Sequence, residues 1–408
     1  MTNSTRRIAI VGGGPIGVEA ALAFATAGHD VHLYERGQIG DAILQWGHVP
    51  LFSPWRLNTS PRGLAALAEL GLAAPEAEVF PTGRQYVEAY LSPLTRHPLL
   101  AGRIHTGTRV VKVGRKSVLK GEKIGSATRR DHPFVLLLED ASGEESRALA
   151  DVLIDASGTW GQANALGDAG IPAPGERDAA AAGRIEYRLP DLLGAAREAY
   201  AGKHTVLIGA GYSAATNLSA LLQLARQTPG TRVTWLTRQA GAPYRRMQDD
   251  PLPERDRLSR LGNDAATGEL ACEGLRHLEG VHVEAIAAAG DQLTLTLEDA
   301  DGATSTLEGV DRIIANVGFH PDPELTRELH LHQCYASEGP MKLAAALLAA
   351  DGGGSGDCLT QGSLGPATLL SPEPDLFVLG ARSYGRRSDF LIKLGLEQLA
   401  DVATLLGG

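Results

Sequence analysis

Ile8-Ala9-Ile10-Val11-Gly12-Gly13-Gly14-Pro15-Ile16-Gly17 is the stretch from which the fold is read. Four apolar residues suit a short buried strand, the glycines a tight turn, and the Ala-rich run Val18 to Ala27 a helix that Gly28 punctuates. Asp30 to Glu35 then reads as a second strand. Gly12, Gly14 and Gly17 satisfy G-x-G-x-x-G: the first glycine permits the turn, the second lets a pyrophosphate approach the backbone, and the third lets helix and strand pack closely. The N-terminus of the helix then faces the anion. Glu35 follows Gly17 by 18 residues, at the strand end where a carboxylate can accept hydrogen bonds from ribose hydroxyls.

Thr205 to Ile208 repeats the pattern, followed by Gly209-Ala210-Gly211-Tyr212-Ser213-Ala214, a G-x-G-x-x-A turn. A helix over Ser213 to Gln227 and a strand over Arg232 to Thr237 complete this unit, so a second nucleotide site is expected. No carboxylate ends that strand. Arg238 stands there instead, which suits a 2′-phosphate and favours NADPH over NADH; the alternative is a solvated surface charge.

Between and after the motifs, His105 to Val113 and Pro133 to Glu139 read as strands. Asp151 to Asp155 and Asp311 to Asn316 read as return strands, the first ending in Ala156-Ser157-Gly158. A helix over Met341 to Ala350, the tract Gly352-Gly353-Gly354-Ser355-Gly356 as a loop, a strand over Leu376 to Leu379 and a helix from Asp389 to Leu406 capped by Ser388 close the chain. The last part is too short to stand alone and is expected to fold back onto the first. The expected class is α/β, with two Rossmann-like dinucleotide-binding domains, the second inserted into the first. The boundaries are 1–165, 166–330 and 331–408.

The chain has 408 residues, enough for two or three domains at roughly 150 each. Its formal charge of −10 argues against a nucleic-acid or acidic-membrane binder. No apolar run reaches the roughly 18–20 residues that cross a bilayer, and the apolar run after Arg6-Arg7 stops too soon for an export signal. A cytoplasmic location is expected. Cys272, Cys334 and Cys358 are too few and too dispersed for a disulfide framework or a dithiol centre. No metal site is expected, because His330, His332 and Cys334 lack further spaced ligands.

These motifs resemble those of the two-dinucleotide-binding-domain flavoprotein oxidoreductases, and within them the flavin-containing monooxygenase-like branch. The resemblance implies FAD on the first unit and NADPH on the second. Gly12, Gly14, Pro15, Gly17, Glu35 and Arg36 would hold the adenosine and pyrophosphate end of FAD, with Val111, Gly158, Gly380 and Ala381 towards its remainder. Gly209, Gly211 and Ser213 would hold the NADPH pyrophosphate. Asn58, in Leu57-Asn58-Thr59-Ser60, is similar to the Asn that faces the flavin in such monooxygenases; the alternative is a cap on the turn before Pro61.

Two departures stand against the pattern. Many relatives carry an Asp after the glycine where this chain has Ala381, and monooxygenases of this branch carry F-x-G-x-x-x-H where this chain has Tyr187-Arg188-Leu189-Pro190-Asp191-Leu192-Leu193. Disulfide reductases of the class are disfavoured, because no cysteine precedes Cys272. Trp46 and Trp55, with Phe52, are candidate walls that would keep water from a flavin. Arg382 is a candidate for binding an anionic substrate or stabilising reduced flavin. The implied partners are a small nucleophilic substrate and O2, with a homodimer allowed, and the alternative to a monooxygenase is an NADPH-dependent flavin reductase or dehydrogenase.

Overall fold

The computed structural model describes residues 5–270, 272–351 and 362–407. The glycine tract at 352–356 and Cys358 lie outside the described residues. The chain divides into two compact units, 1–162 with 319–408, and 163–318. Residues 319–330, expected with the inserted domain, group with the first unit, where Leu325 and Leu329 join its apolar core.

In the first unit β1 (Arg7–Val11), β2 (Asp30–Tyr34) and β3 (Ile104–His105) belong to one sheet, while β4 (Thr108–Arg115), β5 (Phe134–Asp140) and β6 (Glu145–Ala150) form an antiparallel sheet. The main sheet is completed by β7 (Val152–Asp155) and the last strand of the chain, β16 (Leu376–Val378), in the order β16-β7-β1-β2-β3, with every pairing parallel. β1 and β7 are buried almost throughout, as a parallel strand covered on both faces requires. The expected strand His105 to Val113 is split at Gly107, and its two parts join different sheets.

The helix Pro15–Thr26 fills the crossover between β1 and β2. The final helix is Ile392–Leu405, shorter than expected: Asp389 pairs with Arg387, and Leu391, without a side-chain cap, precedes the helix in place of Ser388. Its Gly395 makes room for the Ile16 side chain of the helix Pro15–Thr26: a Cβ there would lie 2.4 Å from Ile16 Cδ1. Beside β16, Glu373 is buried between Arg115 and Arg129 at 2.8 and 3.0 Å. Burial alone would raise its pKa, but the hydrogen bonds from Arg129, the His330 amide and Arg115 outweigh it and hold the carboxyl below its usual range.

The second unit contains β8 (Ile185–Glu186), β9 (His204–Ile208), β10 (Arg232–Thr237), β11 (Leu275–Glu279), β12 (Val281–Ala289), β13 (Gln292–Asp299), β14 (Thr304–Val310) and β15 (Arg312–Ala315). Its parallel sheet runs β11-β10-β9-β15-β8, and β12-β13-β14 form an antiparallel sheet. Set beside the first sheet, the order repeats: β9 takes the place of β1, β10 of β2, β11 of β3, β15 of β7 and β8 of β16. No helix among the described residues is long and apolar enough to cross a membrane.

Candidate functional site

Each glycine loop sits where its central strand meets a helix. Gly12 has φ +106°, and a Cβ there would lie 2.5 Å from the Ala156 carbonyl oxygen that follows β7. Gly209 has φ +124°, and a Cβ there would lie 2.4 Å from the Asn316 carbonyl oxygen that follows β15. Only glycine serves at such a φ and in so little room. At Gly17 a Cβ would lie 1.9 Å from the Gly12 oxygen. The matching position of the second loop is Ala214, fully buried, so that turn is wide enough for one methyl.

Gly14 and Gly211 are the N-caps of the helices Pro15–Thr26 and Tyr212–Gln227; neither offers a side-chain cap, and a Cβ on either would meet nothing within 4 Å. Each helix therefore presents uncapped N–H groups to an open space bordered by bare backbone, which fits an anionic pyrophosphate. Ser213 lies exposed in the first turn of the second helix.

Glu35 is the residue after β2. Its Oε2 accepts from the Gly13 N–H at 2.6 Å and its Oε1 from the Gly37 N–H at 2.8 Å. It thus ties the loop together, and each oxygen keeps a lone pair for a hydroxyl donor. Arg36 is exposed, and its guanidinium borders Gly161. Arg238 is the residue after β10, the position of Glu35 in the duplicate, and is exposed.

The structure brings together an aromatic cluster that sequence reading saw only in part. Trp46 lies 6.4 Å from Trp160, ring centre to ring centre, and Trp160 stacks on Phe319 at 4.4 Å. The Trp160 indole N–H donates to Gln45 Oε1 at 3.1 Å. All three rings are partly exposed, and Trp160 lies in the segment that follows β7. Trp160 and Phe319 follow the two small-residue ends of the return strands, Ala156-Ser157-Gly158 and Val317-Gly318, and that shared position was the signal for them in the sequence. Gly158, at φ +71°, opens this segment. Val111 is skipped in the β4 ladder between Val110 and Lys112, a bulge, and is half-buried.

Three expectations are corrected. Asn58 is 1% exposed and its amide is committed locally: Oδ1 accepts from the Ser53 hydroxyl at 2.9 Å, while Nδ2 donates to the Ser53 and Pro54 carbonyls at 2.9 and 3.0 Å. It holds a loop, and both of its amide hydrogens are spent there. Trp55 is 6% exposed and packs against Tyr86 and Tyr90 in the core, so it walls no site. Arg382 is fully buried, with Nε 3.3 Å from Asp155 Oδ2, and cannot meet a diffusing substrate. Its Nη2 donates to the Asp322 carbonyl at 3.3 Å, while Asp155 Oδ1 accepts from the amide and hydroxyl of Ser157. The pair thereby links the segments after β7 and β16. In the latter, Gly380, at φ +69°, donates its N–H to Gln398 Oε1, and Ala381 is half-buried.

Among the described residues, His282, Glu284 and Glu298 are the group whose metal-ligating atoms lie within 4.8 Å of one another. There His282 Nε2 is 3.2 Å from Glu284 Oε1, the geometry of an ion pair. Cys272 and Cys334 are free thiols.

A profile of the pyridine nucleotide-disulphide oxidoreductase family matches residues 2–40, the first strand, loop, helix and second strand. No curated protein matches the chain. Among solved structures, similar folds include the bacillithiol disulfide reductase Bdr from Bacillus cereus, with TM-score 0.67 and 20% identity over 99% of each chain. The FAD-bound cadaverine monooxygenase of the desferrioxamine pathway from Erwinia amylovora has TM-score 0.67 and 13% identity over 100% of this chain and 95% of that one. The ornithine hydroxylase from Pseudomonas aeruginosa has TM-score 0.60 and 15% identity over 99% of each. With its duplicated glycine loops and repeated sheet order, the chain has the two-dinucleotide-binding-domain fold of the flavoprotein oxidoreductases.

Proposed function

We propose that the protein is an FAD-dependent oxidoreductase reduced by NADPH, acting as a monooxygenase on a small nucleophilic substrate. The observation that carries the reading is the pair of uncapped glycine loops, each built against the carbonyl that follows its own return strand. Gly12, Gly14, Pro15 and Gly17 would seat the pyrophosphate of FAD, and Glu35 would accept from its adenosine ribose. Arg36, Val111, Gly158, Gly380 and Ala381 would border the rest. Gly209, Gly211 and Ser213 would seat the pyrophosphate of NADPH, with Arg238 at its 2′-phosphate. When bound, a flavin would supply two-electron redox chemistry and NADPH the hydride for it.

Trp46 and Trp160 together offer apolar surface that can exclude water, which oxygen transfer to a substrate requires. A nucleophile such as a primary amine accords with the similar folds of a cadaverine monooxygenase and an ornithine hydroxylase. The free thiols of Cys272 and Cys334 accord with a reducing, cytoplasmic setting.

A second reading is an NADPH-dependent reductase without oxygen transfer. The similar fold of the Bacillus cereus bacillithiol disulfide reductase favours it. The absence of any cysteine before Cys272 weighs against a disulfide as its substrate.

The holoenzyme, reduced anaerobically with NADPH and then mixed with O2 and ornithine or cadaverine, tests both. The expected result is bleaching of the flavin by NADPH and a hydroxylated amine with less than one equivalent of hydrogen peroxide. Stoichiometric peroxide with no hydroxylated product would transfer the case to the reductase, and no bleaching by either nicotinamide would remove both readings.

A further inference from the structure

The second unit carries a cleft of about 500 Å³ at the end of its parallel sheet opposite the Gly209 loop. This lies within the roughly 300–1,000 Å³ of small-molecule sites. The strand β9 begins at His204 in the cleft and ends next to Gly209, so five residues at about 3.3 Å each set the two places about 16 Å apart.

Strand register decides what the cleft contains. Arg232 on β10 pairs with His204 on β9, and Thr234, two residues on, pairs with Arg276 on β11. Side chains alternate along a strand, so His204, Arg232, Thr234 and Arg276 share one face. All four line the cleft, and β14 adds Glu308.

His204 is 5% exposed. Its Nδ1 lies 3.0 Å from the Gly309 carbonyl, so it is the donor there, and Nε2 accepts from the Thr234 hydroxyl at 2.9 Å. Burial, with the charges of Arg232 and Arg276 behind it, lowers the ring's pKa despite the Gly309 carbonyl and Asp311, which act in the opposite sense. The ring is therefore a neutral floor.

On the helix Pro253–Thr267 of this unit arginines find carboxylates: Arg255 with Asp250 at 2.7 Å, Arg257 with Glu254 at 2.7 Å and Arg260 with Asp256 at 2.6 Å. Arg232 and Arg276 are exposed, face each other diagonally across adjacent strands, and have no ion-pair partner among the described residues. Two like charges on one face, with Glu308 rather than an ion-pair partner beside them, are stabilised by an anion shared between them.

We propose that this cleft binds a small organic acid. Arg232 and Arg276 would hold its phosphoryl or carboxylate end, and Glu308 would accept from a hydroxyl or amino group on the same molecule. The planar guanidinium fork suits such an oxyanion, and a hydroxyl or amino donor set beyond the oxyanion, opposite Glu308, is something an organic acid offers and inorganic phosphate, whose O–H sits on the oxyanion itself, does not.

The test is a thermal-shift titration of the holoenzyme saturated with FAD and NADP+, at constant ionic strength, with glycerol 3-phosphate, malate and inorganic phosphate in turn. Saturating the dinucleotide sites keeps phosphate from reading out there. The expected result is a saturable rise in Tm with glycerol 3-phosphate or malate, which also tells the phosphoryl end from the carboxyl one, and a weaker rise with inorganic phosphate. R232Q/R276Q should weaken that response about tenfold or more while NADP+ affinity stays unchanged. R226Q, which removes a surface charge from the helix Tyr212–Gln227, should not weaken it. E308Q should bring glycerol 3-phosphate and inorganic phosphate closer in affinity. Superimposable titrations for wild type and R232Q/R276Q, or no saturation by either acid up to about 10 mM, would overturn the assignment.

Discussion

Glu35 and Arg238 occupy the same place in the two duplicated units, directly after the second strand, and they differ in sign. Glu35 is engaged with the amides of Gly13 and Gly37, whereas Arg238 is exposed with no ion-pair partner among the described residues. A single charge-assisted hydrogen bond contributes about 1.5–3 kcal/mol. Arg238→Ala should therefore raise the KM for NADPH about tenfold or more and leave that for NADH nearly unchanged; equal changes in steady-state assays would remove Arg238 from the 2′-phosphate. Both residues were legible in the sequence because their places follow from strand length. Asn58, Trp55 and Arg382 were not. Asn58 could face a ligand or serve its own loop, and only the positions of Ser53 and Pro54 decide for the loop. Trp55 and Arg382 owe their burial to Tyr86, Tyr90 and Asp155, which are distant in the chain.

At the scale of the element, the helix Pro15–Thr26 couples folding to the open space before it, and two of its glycines separate these tasks. At Gly17 an added methyl would collide with the Gly12 carbonyl, a backbone atom that cannot swing aside. Gly17→Ala should lower the thermal stability of the apoprotein by about 1–3 kcal/mol or more and release FAD with it. At Gly14 the methyl meets nothing, and φ −79° suits any residue. Gly14→Ala should leave the apoprotein's melting curve in place and reduce FAD retention, because the methyl enters the space a pyrophosphate would fill. Loss of apoprotein stability in Gly14→Ala, or undiminished FAD in both variants, would contradict this division. The strand, loop and helix were readable here because local glycine geometry dictates them. The end of the chain was less so. Asp389 looked like the start of a helix, but it pairs with Arg387 and the helix waits until Ile392.

For the whole molecule, the repeated sheet order makes the inserted unit a complete Rossmann layer with its own core, including Val206, Leu236, Leu295 and Ile313. Its two ends meet: the Asn164 N–H donates to the Gly318 carbonyl at 3.0 Å and the Asn164 side chain to the Val317 carbonyl at 3.0 Å. Residues 163–318 expressed alone should therefore unfold cooperatively in urea and retain NADPH binding; a non-cooperative transition without near-ultraviolet circular dichroism would show that the unit depends on the rest of the chain. The sequence by itself determined the two glycine loops, the strands and helices around them and the α/β class, because turn geometry and short apolar runs are local properties. Only the tertiary structure decided that residues 319–330 join the first unit, that Trp160 and Phe319 stack beside Trp46, that Asn58 and Arg382 turn inward, and that Arg232 and Arg276 share a face with His204. Each of these depends on which distant segments are brought together, and strand order and register are set by the packing of the whole sheet.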